Sequence, residues 1–447
     1  MADLDALTGS LLAAAARAGA EAADAIAVAG ESLSIEVRDG ALEQAERAEG
    51  VEIGLRVLIG RRQACVSASD ISAGTITAMA ERAVAMAREA PEDPWCGLAD
   101  PSELARHWDA AALELEDASA APTAAALEAA ARAAEAAALA VPGITRMDGS
   151  GASWTRNHIH LAASNGFSGG YARTGHGVYA TAICGDGLSM ERDYASEGRV
   201  HGADLPDPEA IGRLAGARTI ARAGAGRPPT GAFPVLYDER VASGLVGHLL
   251  SAINGTAIAR GASWLKDARG TRVLPAGLDL VEDPLRPRIG GSRPFDAEGL
   301  PAGRRVLVAD GILQGWTLDL ATARQLGLAS TGNAARGPSA PPSPAAGNIA
   351  LTQGADSRAA LLAEMGTGLL VTGLIGATIN PNTGDYSRGA SGFWVERGEI
   401  VRPVNECTIA GNLRDMLRSL RPANDARPEL GRVVPSLLVE GLVIAGA

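Results

Sequence analysis

The chain has 447 residues, enough for two sizeable cores, and its 47% hydrophobic and 21% charged content is that of a globular protein. Forty basic residues against fifty-two acidic ones give a formal net charge of −12. No Lys/Arg cluster exceeds short pairs such as Arg61-Arg62 and Arg304-Arg305, which argues against a nucleic-acid partner, since a polyanion is held by basic patches.

Met1-Ala2-Asp3-Leu4-Asp5 has neither the basic nor the apolar part of a signal peptide. The apolar stretch Gly368–Ile379 is interrupted by Gly and Thr and is too short for a membrane span. Cys65, Cys96, Cys184 and Cys407 form no CxxC pair. The expectation is a cytoplasmic chain with reduced thiols and no membrane partner.

Leu4, Leu7, Leu11 and Leu12 lie at helical spacing and the run stops at Gly19, which predicts a helix over Leu4–Ala18. Leu33, Ile35 and Val37 then alternate with polar residues up to Asp39-Gly40, a hairpin signal. Val51–Ile59 and Ala64–Ser69 flank Gly60-Arg61 as a second hairpin. Asp70 is placed to cap a helix over Ile71–Ala90 that Pro91 ends. An Ala-rich helix from Pro122 precedes strand-like segments at Thr145–Asp148, His158–Ala163, Gly170–Cys184 and Met190–Ser196, and a helix over Asp207–Ala223 follows. The recurring order of helix, antiparallel strands and helix suggests an internal pseudo-repeat.

Residues 1–223 are therefore read as an N-terminal α+β domain, and Gly224–Gly231 as a linker. Residues 232–447 are read as a strand-rich, barrel-like C-terminal domain. Its strands are expected at Phe233–Tyr237, Arg305–Ala309, Leu369–Leu374, Gly392–Glu396, Glu399–Pro403 and Leu437–Ile444, with helices at Glu239–Ile253 and Asp356–Met365. Asn333–Gly347, with four prolines, reads as a loop that is functional or disordered. The fold class is α+β in two domains.

The C-terminal half carries several distinctive segments: Gly244-Leu245-Val246-Gly247-His248-Leu249, Ala323-Arg324-Gln325-Leu326-Gly327-Leu328, Glu364-Met365-Gly366-Thr367-Gly368-Leu369, and Thr408-Ile409-Ala410-Gly411-Asn412-Leu413. The most specific is Gly384-Asp385-Tyr386-Ser387-Arg388-Gly389, followed by Gly392-Phe393-Trp394-Val395. Through these the chain resembles the TldD/PmbA family, and within it the TldE/PmbA branch. The resemblance implies a heterodimeric protease in which a TldD-like subunit carries zinc on an HExxxH helix. This branch would then supply a non-catalytic subunit acting on unfolded peptides or peptide precursors, and self-associating when alone.

Zinc hydrolysis needs neutral ligands, an open coordination position and a carboxylate that takes the proton of the bound water. Matching Ser243–Ser263 to the family helix places His248 at the first ligand, Leu249 at the base and Ile253 at the second histidine. Cys407 reads as a buried small thiol. The expectation is no catalytic residue and no metal in this chain, with zinc in the partner.

Other candidates keep two readings. His158 and His160, two apart on a strand, share a face and could share a metal, or are merely hydrogen-bonded. His176, between two glycines, reads as a turn residue, and His107 and His201 as solvated loop residues. His248 is either a packed helix histidine or a relic ligand. Asp385, Tyr386, Ser387 and Arg388 either line a peptide groove or subunit interface or form a turn closed by an Asp385–Arg388 ion pair. No Gly-x-Ser-x-Gly elbow, Walker loop or dinucleotide fingerprint stands in context. Two functions of other classes stay open: a metallohydrolase assembled from His248 and the His158/His160 pair across a homodimer, and an adaptor of a machine such as DNA gyrase.

Overall fold

The computed structural model describes residues 2–446. The N-terminal part runs α1 (Leu4–Ala18), β1 (Ala22–Arg38), β2 (Ala41–Ile59), β3 (Arg62–Ala68) and α2 (Ala73–Glu89). It then repeats the order as α3 (Ala124–Leu139), β4 (Ile144–Ala163), β5 (Ser168–Cys184), β6 (Glu191–Arg199) and α4 (Pro208–Ala221). The six strands form one antiparallel sheet in the order β3-β2-β1-β4-β5-β6, so the two units meet at β1 and β4.

Helix placement follows the alternation of side chains along β1. Ala23, Ala25 and Ala27 pack with Leu11, Ala14 and Ala83 of α1 and α2, while Ile35 and Val37 pack with Leu127, Ala131 and Ile211 of α3 and α4. Alanine on both strand and helix lets these layers approach closely. Local signals behave as expected at α1, where Asp3 caps the first turn and Gly19 closes the last with φ of +97°. At α2 the expectation needs correction. Ser72 is the cap, accepting from the Thr75 amide at 3.3 Å, and Asp70 braces it by accepting from the Ser72 amide at 2.9 Å.

The remainder begins with β7 (Gly231–Tyr237), α5 (Glu239–Ala252), α6 (Gly255–Ala259), β8 (Leu280–Glu282), β9 (Arg305–Ala309) and β10 (Ile312–Leu313). It continues through α7 (Leu320–Leu326), β11 (Ala334–Ala335), β12 (Ser343–Pro344), β13 (Ile349–Leu351) and α8 (Arg358–Met365). It ends with β14 (Gly368–Ile379), β15 (Asp385–Glu396), β16 (Glu399–Asn412), α9 (Leu413–Ser419), β17 (Arg421–Pro422), β18 (Arg432–Val433) and β19 (Leu437–Ala445).

Strands β16, β15, β14, β7 and β19 pair in that order, and a further pairing of β16 with β19 closes them into a five-stranded barrel. Its core takes Val235 and Tyr237 from β7, Ile409 from β16 and Val439 from β19, with Leu245, Leu249 and Ile253 from the α5 segment packed among them. The fold is thus α+β, with an antiparallel N-terminal sheet and a barrel in the C-terminal part.

Two segments read as irregular are pinned. Gly226, in the linker-like run, bridges to Val404, and its amide donates to the Pro403 carbonyl at 3.2 Å. The proline-rich loop at 333–347 is ordered: β11 pairs with β12, and Asn333 donates to the Glu282 carboxylate at 2.8 Å. From the same loop, Arg336 inserts its guanidinium against Asp24 of β1. Among the described residues no helix is long and apolar enough to cross a membrane.

Candidate functional site

Asp238 starts α5 by accepting from the Arg240 amide at 3.2 Å. From there Leu245, Leu249 and Ile253 recur every fourth residue and turn one stripe into the barrel core. Leu249 and Ile253 are both 0% exposed. The positions that a metallopeptidase helix would give to a general base and a second ligand are therefore filled with buried hydrocarbon. A carboxylate at 249 would be desolvated without a partner, so the residues present do not fit a catalytic zinc. Among the described residues, no three or more His, Cys, Asp and Glu side chains converge as metal ligands would.

His248 lies on another side of α5, half-buried, with its ring edge-on to Tyr386 at a centroid separation of 5.8 Å. Its Nε2 is buried and has no hydrogen-bond partner. Burial, and secondarily the positive Arg388, push its pKa below the ordinary histidine value, so the imidazole is neutral at pH 7. Tyr386 sits opposite Tyr237 inside the barrel. Burial first, then the neighbouring Tyr386, raises the Tyr237 pKa well above the ordinary range, yet neither hydroxyl makes a well-formed hydrogen bond.

The segment Asp385–Arg388 opens β15, and the alternative of a tight turn does not hold. Asp385 points outward and accepts from Thr383 Oγ1 at 2.6 Å and Asn412 Nδ2 at 3.0 Å. Tyr386 is buried and Ser387 half-buried. Arg388 donates from Nε to the Gly376 carbonyl at 2.6 Å. The alternation of the strand separates Asp385 from Arg388, and no ion pair joins them.

Between β6 and α4 on one side and α5, β14 and β15 on the other lies a cleft of about 570 Å³. Its wall contains Arg192, Arg222, Arg240 and Arg388 with Asp148 and Asp193. Asp193 is buried and accepts from Arg240 at 3.1 Å. Thr372 of β14 also lines the cleft, and its Oγ1 is buried without a partner. The sequence reading found Arg388 and missed the rest, because pairs such as Arg240 with Asp193 join residues 47 positions apart and leave no local pattern.

The remaining histidines are dispersed. His158 and His160 do share a face of β4: His160 Nδ1 lies 2.9 Å from Thr8 Oγ1, and the Nε2 of His158 is buried without a partner. His176 is in β5 opposite Trp154, not in a turn, and its Nε2 is 3.3 Å from Asp117. His201 is held to the Glu114 carbonyl at 2.9 Å rather than freely solvated, and His107 is exposed in a loop. Cys407 is buried in β16, where desolvation pushes its thiol up to about 11, an unreactive setting.

A second polar junction escaped the sequence reading. Asp24 of β1 is buried between Arg56 of β2, at 2.5 Å, and Arg336. Burial raises its pKa, but the two guanidiniums prevail and leave it lowered. Nearby, Glu298 lines a pocket of about 250 Å³ with Arg56 and accepts from the Leu320 amide at 2.8 Å. Burial first, then the negative Asp296, pushes its carboxyl up to about 8.

Comparison with known proteins places this architecture. Family models for the first, central and C-terminal domains of the PmbA/TldA metallopeptidases match residues 23–87, 112–223 and 230–446. Metalloprotease PmbA of Escherichia coli O157:H7 is 37% identical over 416 residues, spanning 93% of this chain and 90% of that protein. The chain belongs to the PmbA/TldD metallopeptidase family. A PmbA homologue of Haemophilus influenzae is 34% identical over 97% of this family member and 94% of its own length. The TldD homologue of the same organism is 28% identical over only 43% of the chain and 38% of its own length. A crystal structure of a Bacteroides thetaiotaomicron protein named for modulation of DNA gyrase superposes with a TM-score of 0.91 at 26% identity, over 99% of this chain and 98% of that one.

Proposed function

We propose that this PmbA/TldD-family chain is the non-catalytic subunit of a two-subunit metalloprotease, working beside a TldD-like partner that carries the zinc and the general base. The observation that carries the reading is the burial of Leu249 and Ile253 in the barrel core, where catalysis would require a carboxylate and a histidine. The near full-length likeness to PmbA-type relatives, against a partial likeness to a TldD-type one, supports the same branch.

In this division of labour the chain closes the reaction chamber and holds an extended, unfolded peptide or peptide precursor. The sheet offers means for this. β3 pairs only with Ile53–Ile59 of β2, so Ala41–Glu52 is an edge that can take an added strand through backbone hydrogen bonds, independently of peptide sequence. The complex acts in the cytoplasm, and the isolated chain associates with itself.

The test is metal content and peptidase activity of the purified chain, alone and mixed with a TldD-type subunit. Cleavage of unstructured peptides only in the mixture, with zinc tracking the partner, is the expected result. Stoichiometric zinc and cleavage by this chain alone would overturn it.

A further inference from the structure

We propose that the cleft beside α5 is a carboxylate-binding pocket in which Arg388 and Thr372 hold the C-terminal carboxylate of a bound peptide. This rests on the reading of the chain as a peptide-holding subunit and adds where, and by which end, the peptide is held.

Three observations carry it. The arginines of the cleft are not equivalent. Arg192 pairs with Asp148 at 3.1 Å, Arg222 with Glu191 at 3.4 Å, and Arg240 with Asp193 at 3.1 Å. Arg388 has no carboxylate partner among the described residues and spends only its Nε, on the Gly376 carbonyl. Its terminal nitrogens are left for a ligand, and a guanidinium edge matches a carboxylate in shape as well as charge.

Thr372 occupies a bulge. Val371 pairs with Gly392 and Gly373 with Ser391, which leaves Thr372 as the extra residue on β14. A bulge re-aims a side chain out of the regular pleat, and here it accompanies a buried hydroxyl with nothing to bond. The Nε2 of His248 is a second such group, on the same helix face as Gly244 of the cleft wall and one turn beyond it. Buried polar atoms are seldom left unpaired, and two of them near one unpaired cation point to a missing polar ligand.

The third observation is charge. Within a chain of net charge −12, the cleft sets four arginines against Asp148, Asp193 and the Glu191 that pairs with Arg222, which leaves the positive charge of Arg388 in excess. Such a hollow concentrates anions. One unpaired guanidinium with neutral donors suits a planar, singly charged carboxylate better than a doubly charged phosphate. A cleft of about 570 Å³ accommodates the last residue or two of an extended chain and not a folded protein.

The experiment is fluorescence anisotropy on the full-length chain, alone and with its catalytic partner, using one labelled unstructured peptide as the free acid and as the C-terminal amide. Acetate and inorganic phosphate serve as competitors. The acid is expected to bind about tenfold more tightly than the amide, the worth of a charge-assisted pair. Arg388→Gln should abolish that preference, and Thr372→Val, which keeps side-chain volume, should reduce it. Thermal melts of both variants check that they are folded. Equal binding of acid and amide, or a preference that survives Arg388→Gln, would sink the carboxylate pocket while leaving the peptide-holding subunit intact. Failure of both peptides to bind, alone or in the complex, would overturn the subunit reading and the pocket together. Phosphate competing far better than acetate would overturn the assignment to a peptide terminus.

Discussion

Replacing Glu298 with Gln should remove much of the alkaline sensitivity of this fold. Glu298 is 8% exposed, and its Oε2 accepts from the Leu320 amide at 2.8 Å. Burial and the neighbouring Asp296 carry its pKa from 4.5 to about 8, so the folded chain binds this proton more tightly than the unfolded chain. The sign follows: Glu298 contributes fully below the unfolded value, and that contribution is lost as pH rises through the folded one. At about 1.36 kcal/mol per pH unit, with the slope halved by the time the pH reaches the folded value, raising the pH from 6 to 8 costs about 2 kcal/mol. Gln keeps the shape and the acceptor for Leu320 but has no proton to lose. Urea midpoints at pH 6 and pH 8 supply the comparison. The parent chain should lose about 2 kcal/mol over that interval and the variant much less, with a residual slope from Asp296, which burial also raises. An identical loss in both proteins would refute the argument.

Two further perturbations test the surrounding physics. Arg336→Met takes a fully buried guanidinium from Asp24, which keeps only Arg56; a loss of about 3 kcal/mol and faster amide exchange across residues 333–347 are expected, read by urea unfolding and hydrogen exchange. His248, held below its ordinary pKa of 6.5 by burial and Arg388, takes up a proton more readily when unfolded. Stability should therefore fall as pH drops below about 6.5, and His248→Phe should flatten that part of the thermal-melt profile.

The sequence shows best what is written locally. The α1 helix, the Asp39-Gly40 turn, β9 and the end of β7 carry short-range patterns that survive in the fold. The first half of β1, Ala22–Gly30, was not legible: its core-facing residues are alanines, whose burial leaves no strong strand signature. Ala41–Gly50 of β2 is exposed on both faces, so no alternation marks it, and its partner β1 alone makes it a strand. Helices α7 and α9, seven residues each, are too short to display a period. The same rule governs the sites. His248 and the run at Asp385–Arg388 stand in recognisable motifs. The pairing of Asp24 with Arg336 crosses 312 positions, and the bulge at Thr372 exists only through strand register.

Whether α5 could recover a metal site is a question of packing as much as of chemistry. His248 precedes the two replaced positions, but Leu249 and Ile253 are one turn apart and both belong to the stripe that fills the barrel. The double variant Leu249→Glu, Ile253→His restores the metallopeptidase spelling while placing a carboxylate and an imidazole among Leu245, Tyr237 and Val439. Losing two buried aliphatic side chains and desolvating two polar ones should cost at least about 4 kcal/mol. A zinc site recovers energy only if the ligands can converge, and here Leu249 and Ile253 point into the core while His248 faces Tyr386. The variant is therefore expected to melt well below the parent chain and to retain no stoichiometric zinc after dialysis, measured by calorimetry and atomic absorption. A double variant as stable as the parent with one tightly held zinc would mean that the helix can rotate within the barrel. In that case the misfit of α5 to a zinc site would rest on side-chain identity alone.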